Sequence, residues 1–190
     1  MEDYKKRIKK YILLEKEVLD SLNYDDINEV MNVLENARLT GKRIFICGNG
    51  GSASTAAHFE CDFNKGISYD QEIKYDIECL SDNVPMMMAI ANDISFKDIF
   101  VVPLKNKLKT GDIVIGISGS GNSENVIKAF EYANSIGADT ISFTGYSGGM
   151  LKKISKHNIH VNIDNMQIVE DVHLFLNHMM MFILSDMKGC

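Results

Sequence analysis

Asp112-Ile113-Val114-Ile115-Gly116-Ile117, running straight into Ser118-Gly119-Ser120-Gly121-Asn122-Ser123, decides the fold class. The first six positions are a short apolar run with no alternation, which reads as a strand buried on both faces. The next six are glycine- and serine-rich punctuation. The stretch from Asn122 to Ile136 then carries Val126, Ile127, Phe130 and Ala133 on one helical stripe, with Gly137 as its stop. Strand, glycine turn and helix in that order form half of a parallel crossover unit.

The same unit recurs on either side. Arg43-Ile44-Phe45-Ile46-Cys47 leads into Gly48-Asn49-Gly50-Gly51-Ser52, and Asp139-Thr140-Ile141-Ser142-Phe143 leads into Thr144-Gly145-Tyr146-Ser147-Gly148-Gly149. Asn158 to Ile163 reads as a further strand and Ile73 to Leu80 as a weaker one. Upstream, Ile8, Tyr11, Ile12, Val18, Leu19 and Leu22, then Ile27, Val30, Met31, Leu34 and Ala37, recur at helical spacing. Asp25 or Asp26 is the expected cap of the second helix and Gly41 its end. Downstream, Ile168 to Met187 is apolar nearly all round, so that helix is expected in the core or against another subunit. Met86-Met87-Met88 reads as core or interface packing. The expectation is one α/β domain, with residues 1–40 as an N-terminal helical arm and 41–190 as a doubly wound core.

Bulk properties narrow the function. The 190 residues are 45% hydrophobic and 24% charged, with net charge −6 and no basic cluster beyond Lys5 to Lys10, which argues against a nucleic-acid partner. The opening MEDYKKRIKK is too polar for a secretory signal, and no apolar run reaches the roughly 18 residues a membrane span needs. Cys47, Cys61, Cys79 and Cys190 lack CxxC spacing, so reduced thiols in the cytoplasm are expected.

The two turns Gly48–Ser52 and Ser118–Ser123 place backbone N–H groups and the hydroxyls of Ser52, Ser118, Ser120 and Ser123 at helix N-termini on the carboxyl edge of the sheet. That is an anion cradle even in an acidic protein. The GxGxxG spacing of a dinucleotide site fails because Ala53 stands three after Gly50, and no GxxxxGK[ST] occurs. A phosphorylated small molecule, foremost a sugar phosphate, is the expected ligand. His58 and Asp62 stand four apart and share a helix face. Glu170, Asp171, His173 and His178 lie on the apolar last helix, where buried polar groups need partners that a divalent cation supplies. Glu170 and His178 are separated by about 80° and about 12 Å on an ideal helix, so sharing one ion requires their side chains to lean together. His173 reads as a packing histidine, and His157 and His160 receive no role.

Cys47-Gly48-Asn49-Gly50-Gly51-Ser52, His58-Phe59, Asn92-Asp93, Gly116 to Ser123 and Thr144 to Gly149, in this order, resemble the sugar isomerase (SIS) domain family, and most closely its phosphoheptose isomerase branch. The resemblance spans almost the whole chain. It implies a flavodoxin-like αβα sandwich on a five-stranded parallel sheet, assembled as a homotetramer with active sites between subunits. It also implies that Asn49, Gly50, Gly51, Ser52, Asn92, Asp93, Ser118, Gly119, Ser120, Ser123 and Glu170 contact the substrate, with Gly119 standing where the family often has Thr. The family's zinc ligands fall on His58, Asp62, Glu170 and His178. The two histidines agree, while Asp62 replaces a Glu and Glu170 replaces a Gln.

The implied reaction converts sedoheptulose 7-phosphate to D-glycero-D-manno-heptose 7-phosphate through an enediol. Asp62 is the expected base, Glu170 the alternative, and His178 the acid. The competing readings are a non-catalytic SIS module that binds a sugar phosphate or a protein partner, and an isomerase for another phosphosugar.

Overall fold

The apolar run quoted above forms β3 (Ile113–Ser118), the central strand of a five-stranded, wholly parallel sheet. A computed structural model describes residues 2–186, so the thiol of Cys190 and the helix end at Met187 lie outside the described residues. β1 (Ile44–Gly48) pairs with β3 from Ile44↔Ile113 to Gly48↔Ile117, and β4 (Asp139–Thr144) pairs with it from Ile113↔Asp139 to Ser118↔Thr144. β2 (Ile77–Cys79) and β5 (His157–His160) close the edges, giving the order β2-β1-β3-β4-β5. The order turns back between β1 and β3, and ligands of open α/β sheets enter at such a point.

Successive residues of each strand face opposite layers. Ile44, Ile46, Ile113, Ile115, Ile117, Ile141 and Phe143 pack on one side with α2 (Tyr24–Leu39), α3 (Gly51–Cys61) and α8 (Met166–Asp186). Phe45, Cys47 and Val114 pack on the other with α5 (Val101–Lys107), α6 (Glu124–Ser135) and α7 (Gly149–Ile154). These are the layers of an αβα sandwich. α1 (Lys5–Asp20) buries only Val18 and leaves Ile8, Ile12 and Leu13 exposed. α4 (Val84–Asp93) likewise buries only Ile90, and Met88 is exposed, so within this chain the methionine run packs only through the partly buried Met87.

Several local expectations shift. Asn23, not Asp25 or Asp26, caps α2: its side chain accepts from both of their backbone N–H groups, at 3.0 and 3.5 Å. The carboxylates instead occupy the first helical turn, where the dipole favours them. β5 ends at His160, earlier than Ile163, and β2 keeps only three residues of the stretch from Ile73. The open edge of β2 is covered by side chains. Asn64 Nδ2 donates to the Ile77 carbonyl, Asn64 Oδ1 accepts from the Ile77 N–H, and Glu60 accepts from the Cys79 N–H.

α8 is, contrary to the reading from hydropathy alone, long and apolar enough to cross a membrane by length and composition. In this fold it is a core helix: Ile168, Val169, Val172, Leu176 and Met180 are fully buried against the sheet layer. Phe175, Phe182 and Ile183 on its other side are exposed. Cys47, Cys61 and Cys79 are free thiols.

The loops after β3 and β4 touch backbone to backbone. Gly121 (φ +65°) lies so close to Gly148 that a Cβ at 121 overlaps the Gly148 carbonyl. Its own carbonyl accepts from the Leu151 N–H, and the Gly145 N–H donates to the Gly119 carbonyl at 2.8 Å. We expect Gly121→Ala to cost more than the roughly 1–2 kcal/mol of left-handed strain alone, because the overlap with rigid backbone adds to it. Urea unfolding checks this, and a loss under 1 kcal/mol would show that the two loops part without cost.

Candidate active site

The turn after β1 and the turn after β3 stand side by side at the carboxyl edge, as their strands are neighbours. Ser118 and Ser123 bring their hydroxyl oxygens to 3.0 Å, and Ser123 stands at the N-cap position of α6. The Ser120 hydroxyl accepts from the Asn122 N–H. A Cβ on Gly119 would stand 2.7 Å from Met166 Sδ on α8, the end of a flexible and part-exposed side chain, so space alone does not require glycine there. Asn49 is turned towards the neighbouring turn rather than outward. Its amide and that of Asn125 exchange two hydrogen bonds of 2.9 Å, tying the cradles together. Asn125 is buried and was not anticipated. Ser81 was missed too; it accepts from the Gly48 N–H and donates to the Gly48 carbonyl.

α3 starts at the first cradle and carries His58 two turns on, facing α8. At Asp62 the helix widens into a π-turn, Asp62–Ile67, a distortion frequent at functional sites. His58 Nε2 lies 3.3 Å from Asp62 Oδ2, His178 Nε2 lies 3.8 Å from the same oxygen, and the two Nε2 atoms are 3.1 Å apart. The shorter Asp62 therefore reaches both histidines. Nitrogen and oxygen ligands about 2.0–2.2 Å from a tetrahedral zinc stand about 3.3–3.6 Å from each other. The three observed edges bracket that range, and both rings present Nε2 to the same point. The donor set fits a divalent cation.

Glu170 does not join this cluster. It lies over the first turn of α3, where a Cβ on Gly51 would stand 2.5 Å from both carboxylate oxygens. It shares a cleft of about 250 Å³ with Gly51, Ser54, Thr55, His58 and Asp171. Among the described residues it makes no hydrogen bond or ion pair. Asp171 beside it accepts from the Tyr11 hydroxyl of α1, a bond that raises the Tyr11 pKa to about 12.

Asn92 and Asp93 make no hydrogen bond or ion pair with the cradles among the described residues. They sit exposed at the end of α4, with Asn92 Nδ2 donating to Asp93 at 2.7 Å. Between α4 and the first cradle runs a mostly apolar cleft of about 310 Å³, walled by Gly48, Asn49, Gly50, Met87, Met88 and Phe96. A larger groove of about 420 Å³ opens at the amino edge of the sheet beside α2 and holds none of the expected residues.

Residues 8–145 match the model of the SIS domain. A probable phosphoheptose isomerase of Thermoplasma acidophilum is 34% identical over 87% of this chain and 91% of its own length. A phosphoheptose isomerase of Helicobacter pylori is 34% identical over 91% of each chain. The chain belongs to the SIS-domain family, in its phosphoheptose isomerase branch. The fold agrees as well: a solved phosphoheptose isomerase from Francisella tularensis superposes with a TM-score of 0.88 at 24% identity, covering 97% of this chain and all of that one.

Within this SIS chain His173 is a packing residue. It is fully buried, edge-on to Phe143 at 5.9 Å, and burial pulls its pKa down to about 4. The Thr144 backbone lies near enough to oppose this weakly, without forming a proper hydrogen bond.

Two predictions follow from these positions. The folded pKa of His173 lies below its unfolded value near 6.5, so its contribution is intact above pH 6.5 and lost as pH falls towards 4. Wild-type unfolding free energy should drop by something on the order of 3 kcal/mol over that window. His173→Leu should flatten the slope; an unchanged slope would place the titration elsewhere. Gly51→Ala should leave the melting temperature within about 2 °C, since only the flexible end of Glu170 is displaced. It should lower kcat/KM roughly 10–100-fold, and unchanged kinetics would separate Glu170 from the reaction.

Proposed function

We propose that this protein is an aldose–ketose isomerase of a seven-carbon sugar phosphate, interconverting sedoheptulose 7-phosphate and D-glycero-D-manno-heptose 7-phosphate. The observation that carries the reading is the juxtaposition at the switch point: two cradles joined by Asn49 and Asn125, with a His58–Asp62–His178 cluster on the helix rising from one of them. The names of its curated relatives support the same substrate class.

Charge assigns the two cradles different ends of the substrate. Glu170 lies over the first turn of α3 and repels a phosphate there. The phosphate belongs on the second cradle, held by the hydroxyls of Ser118, Ser120 and Ser123 and the amides around Gly119. The carbonyl end then lies towards Asn49, Ser52 and the cleft between α3 and α8.

His58, Asp62 and His178 hold a divalent cation, Zn²⁺ being the best match to imidazole and carboxylate. When bound, it supplies Lewis-acid stabilisation of negative charge on the substrate oxygens. Asp62 is committed to this cluster, as its Oδ2 already receives a 2.7 Å hydrogen bond from Asn177. Glu170, a carboxylate in the cleft with no competing partner among the described residues, is the better base for the proton on the carbon beside the carbonyl. His178 Nε2 belongs to the cluster as well, so Glu170 also returns the proton on the substrate oxygens. This exchanges the roles that the resemblance suggests for Asp62 and Glu170.

The chain is one SIS domain and acts as a cytoplasmic homotetramer in this reading. The exposed Ile8, Ile12 and Leu13 of α1 and Phe182 and Ile183 of α8 support self-association, being more apolar surface than helices of one isolated copy need.

The test is turnover of sedoheptulose 7-phosphate by chelated protein, with and without added Zn²⁺. Metal-dependent turnover is expected, lost with Asp62→Asn and His178→Ala through weaker metal binding. Glu170→Gln should retain the metal yet lower kcat by about 10²–10⁴-fold. Absence of turnover, with thermal stabilisation by the same sugar phosphate, would replace the isomerase with a binding module or another substrate.

A further inference from the structure

Asn177 is the residue beside His178 on α8, and it is fully buried. Its neighbours on the inward face of that helix, His173 excepted, are Val169, Val172, Leu176 and Met180, all apolar. An amide in such a place opposes folding unless its hydrogen bonds are made. Asn177 makes one: Nδ2 donates to Asp62 Oδ2 at 2.7 Å, across 115 residues of chain. Its Oδ1 has no partner among the described residues. The amide orientation is fixed by chemistry, since only the –NH2 group can face a carboxylate. A leucine would fill this position as well and would remove the unpaired Oδ1, at the cost only of the donor to Asp62, so packing alone gives no reason for asparagine.

The acceptor is informative. Asp62 Oδ2 is the oxygen on which His58 Nε2 and His178 Nε2 converge. The Asp62 side chain is 12% exposed against 46% and 52% for the two histidines, so it is the buried corner of the cluster. An Asp carboxylate has two side-chain torsions to lose, and Asn177 removes that freedom from the inner side. We propose that Asn177 is a positioning residue that locks the Asp62 carboxylate in its ligating orientation and so sets the metal affinity of the site. The inference rests on the proposed metal site but is read through Asp62, whatever the substrate.

A double-mutant cycle tests it on the full chain. Asn177→Leu is made in the wild-type and Asp62→Ala backgrounds, Zn²⁺ affinity is measured by competition with a chromophoric chelator, and apo-protein melting is followed alongside. Loss of a partner behind a ligand typically costs 10–100-fold in affinity. We expect Asn177→Leu to weaken Zn²⁺ binding about tenfold or more in the wild-type background and to add nothing once Asp62 is gone. The apo melting temperature should shift by no more than about 4 °C, since the lost hydrogen bond and the gained apolar packing oppose each other, and the KM for the sugar phosphate should stay within about twofold while kcat falls. An equal loss in both backgrounds, or none in either, overturns the proposal. A wild-type protein that takes up no Zn²⁺ would end the metal reading instead. The same cycle read on kcat then decides whether Asn177 acts through Asp62, with non-additivity as the expected result.

Discussion

The contact on which the site depends is backbone against backbone, where Gly121 in the loop after β3 meets Gly148 in the loop after β4. No side chain fits between them, and the hydrogen bonds from Leu151 to Gly121 and from Gly145 to Gly119 close the contact from both sides. With the loop after β3 held from the β4 side and tied through Asn125 to Asn49 on the β1 side, its free amides have only one direction left, outward from the carboxyl edge. A cradle of this kind binds an anion without lysine or arginine because its dipoles are fixed before the ligand arrives, so reorganisation costs little. That explains how a chain with net charge −6 is equipped for a phosphate.

The second part of the site depends on the contact between α3 and α8 beside the cradle. α3 leaves the first cradle and is anchored to the edge strand through Glu60 and, one turn later, Asn64. Its opposite face meets α8, and the widening at Asp62 begins where those two roles conflict. A regular helix keeps one face aligned. Across the π-turn Asn64 reaches Ile77 of β2, while Asp62 stays aimed at His178 and Gly66 lies against Met181 of α8. The side chains that serve the edge strand and those that serve the cluster thus come from one continuous segment.

Much of this was legible in the sequence, for a physical reason. Short apolar runs ending in glycine and serine encode both a buried parallel strand and the turn that must follow it, so fold and cradle were read from the same residues. His58 and Asp62 were legible because the i, i+4 relation is local. What was not legible is non-local. Asn125 looks like an ordinary polar position in an amphipathic helix and Asn177 like one more polar residue on an apolar one, and their partners stand 76 and 115 residues away. The helix cap moved from Asp25 or Asp26 to Asn23 because all three are competent caps and only the backbone angles choose among them. The third glycine run, Thr144–Gly149, resembled a cradle in composition, yet its glycines serve the close approach to Gly121.

Glu170 shows how far a single charge can divide an otherwise symmetrical arrangement. Both cradles end in helix N-termini and both attract anions on that account. A carboxylate lying over the first turn of α3 places negative charge beside that helix N-terminus and leaves the α6 cradle as the one open to a second anion. A neutral amide at position 170 would leave the two cradles more nearly equal for phosphate. In the proposed reading the carboxylate therefore sets the direction of the substrate, phosphate over β3 and carbonyl end over α3. It does so with a group that is also basic and has no competing partner among the described residues. Orientation and proton abstraction then follow from one side chain, which requires only that residue 51 have no Cβ to push it away.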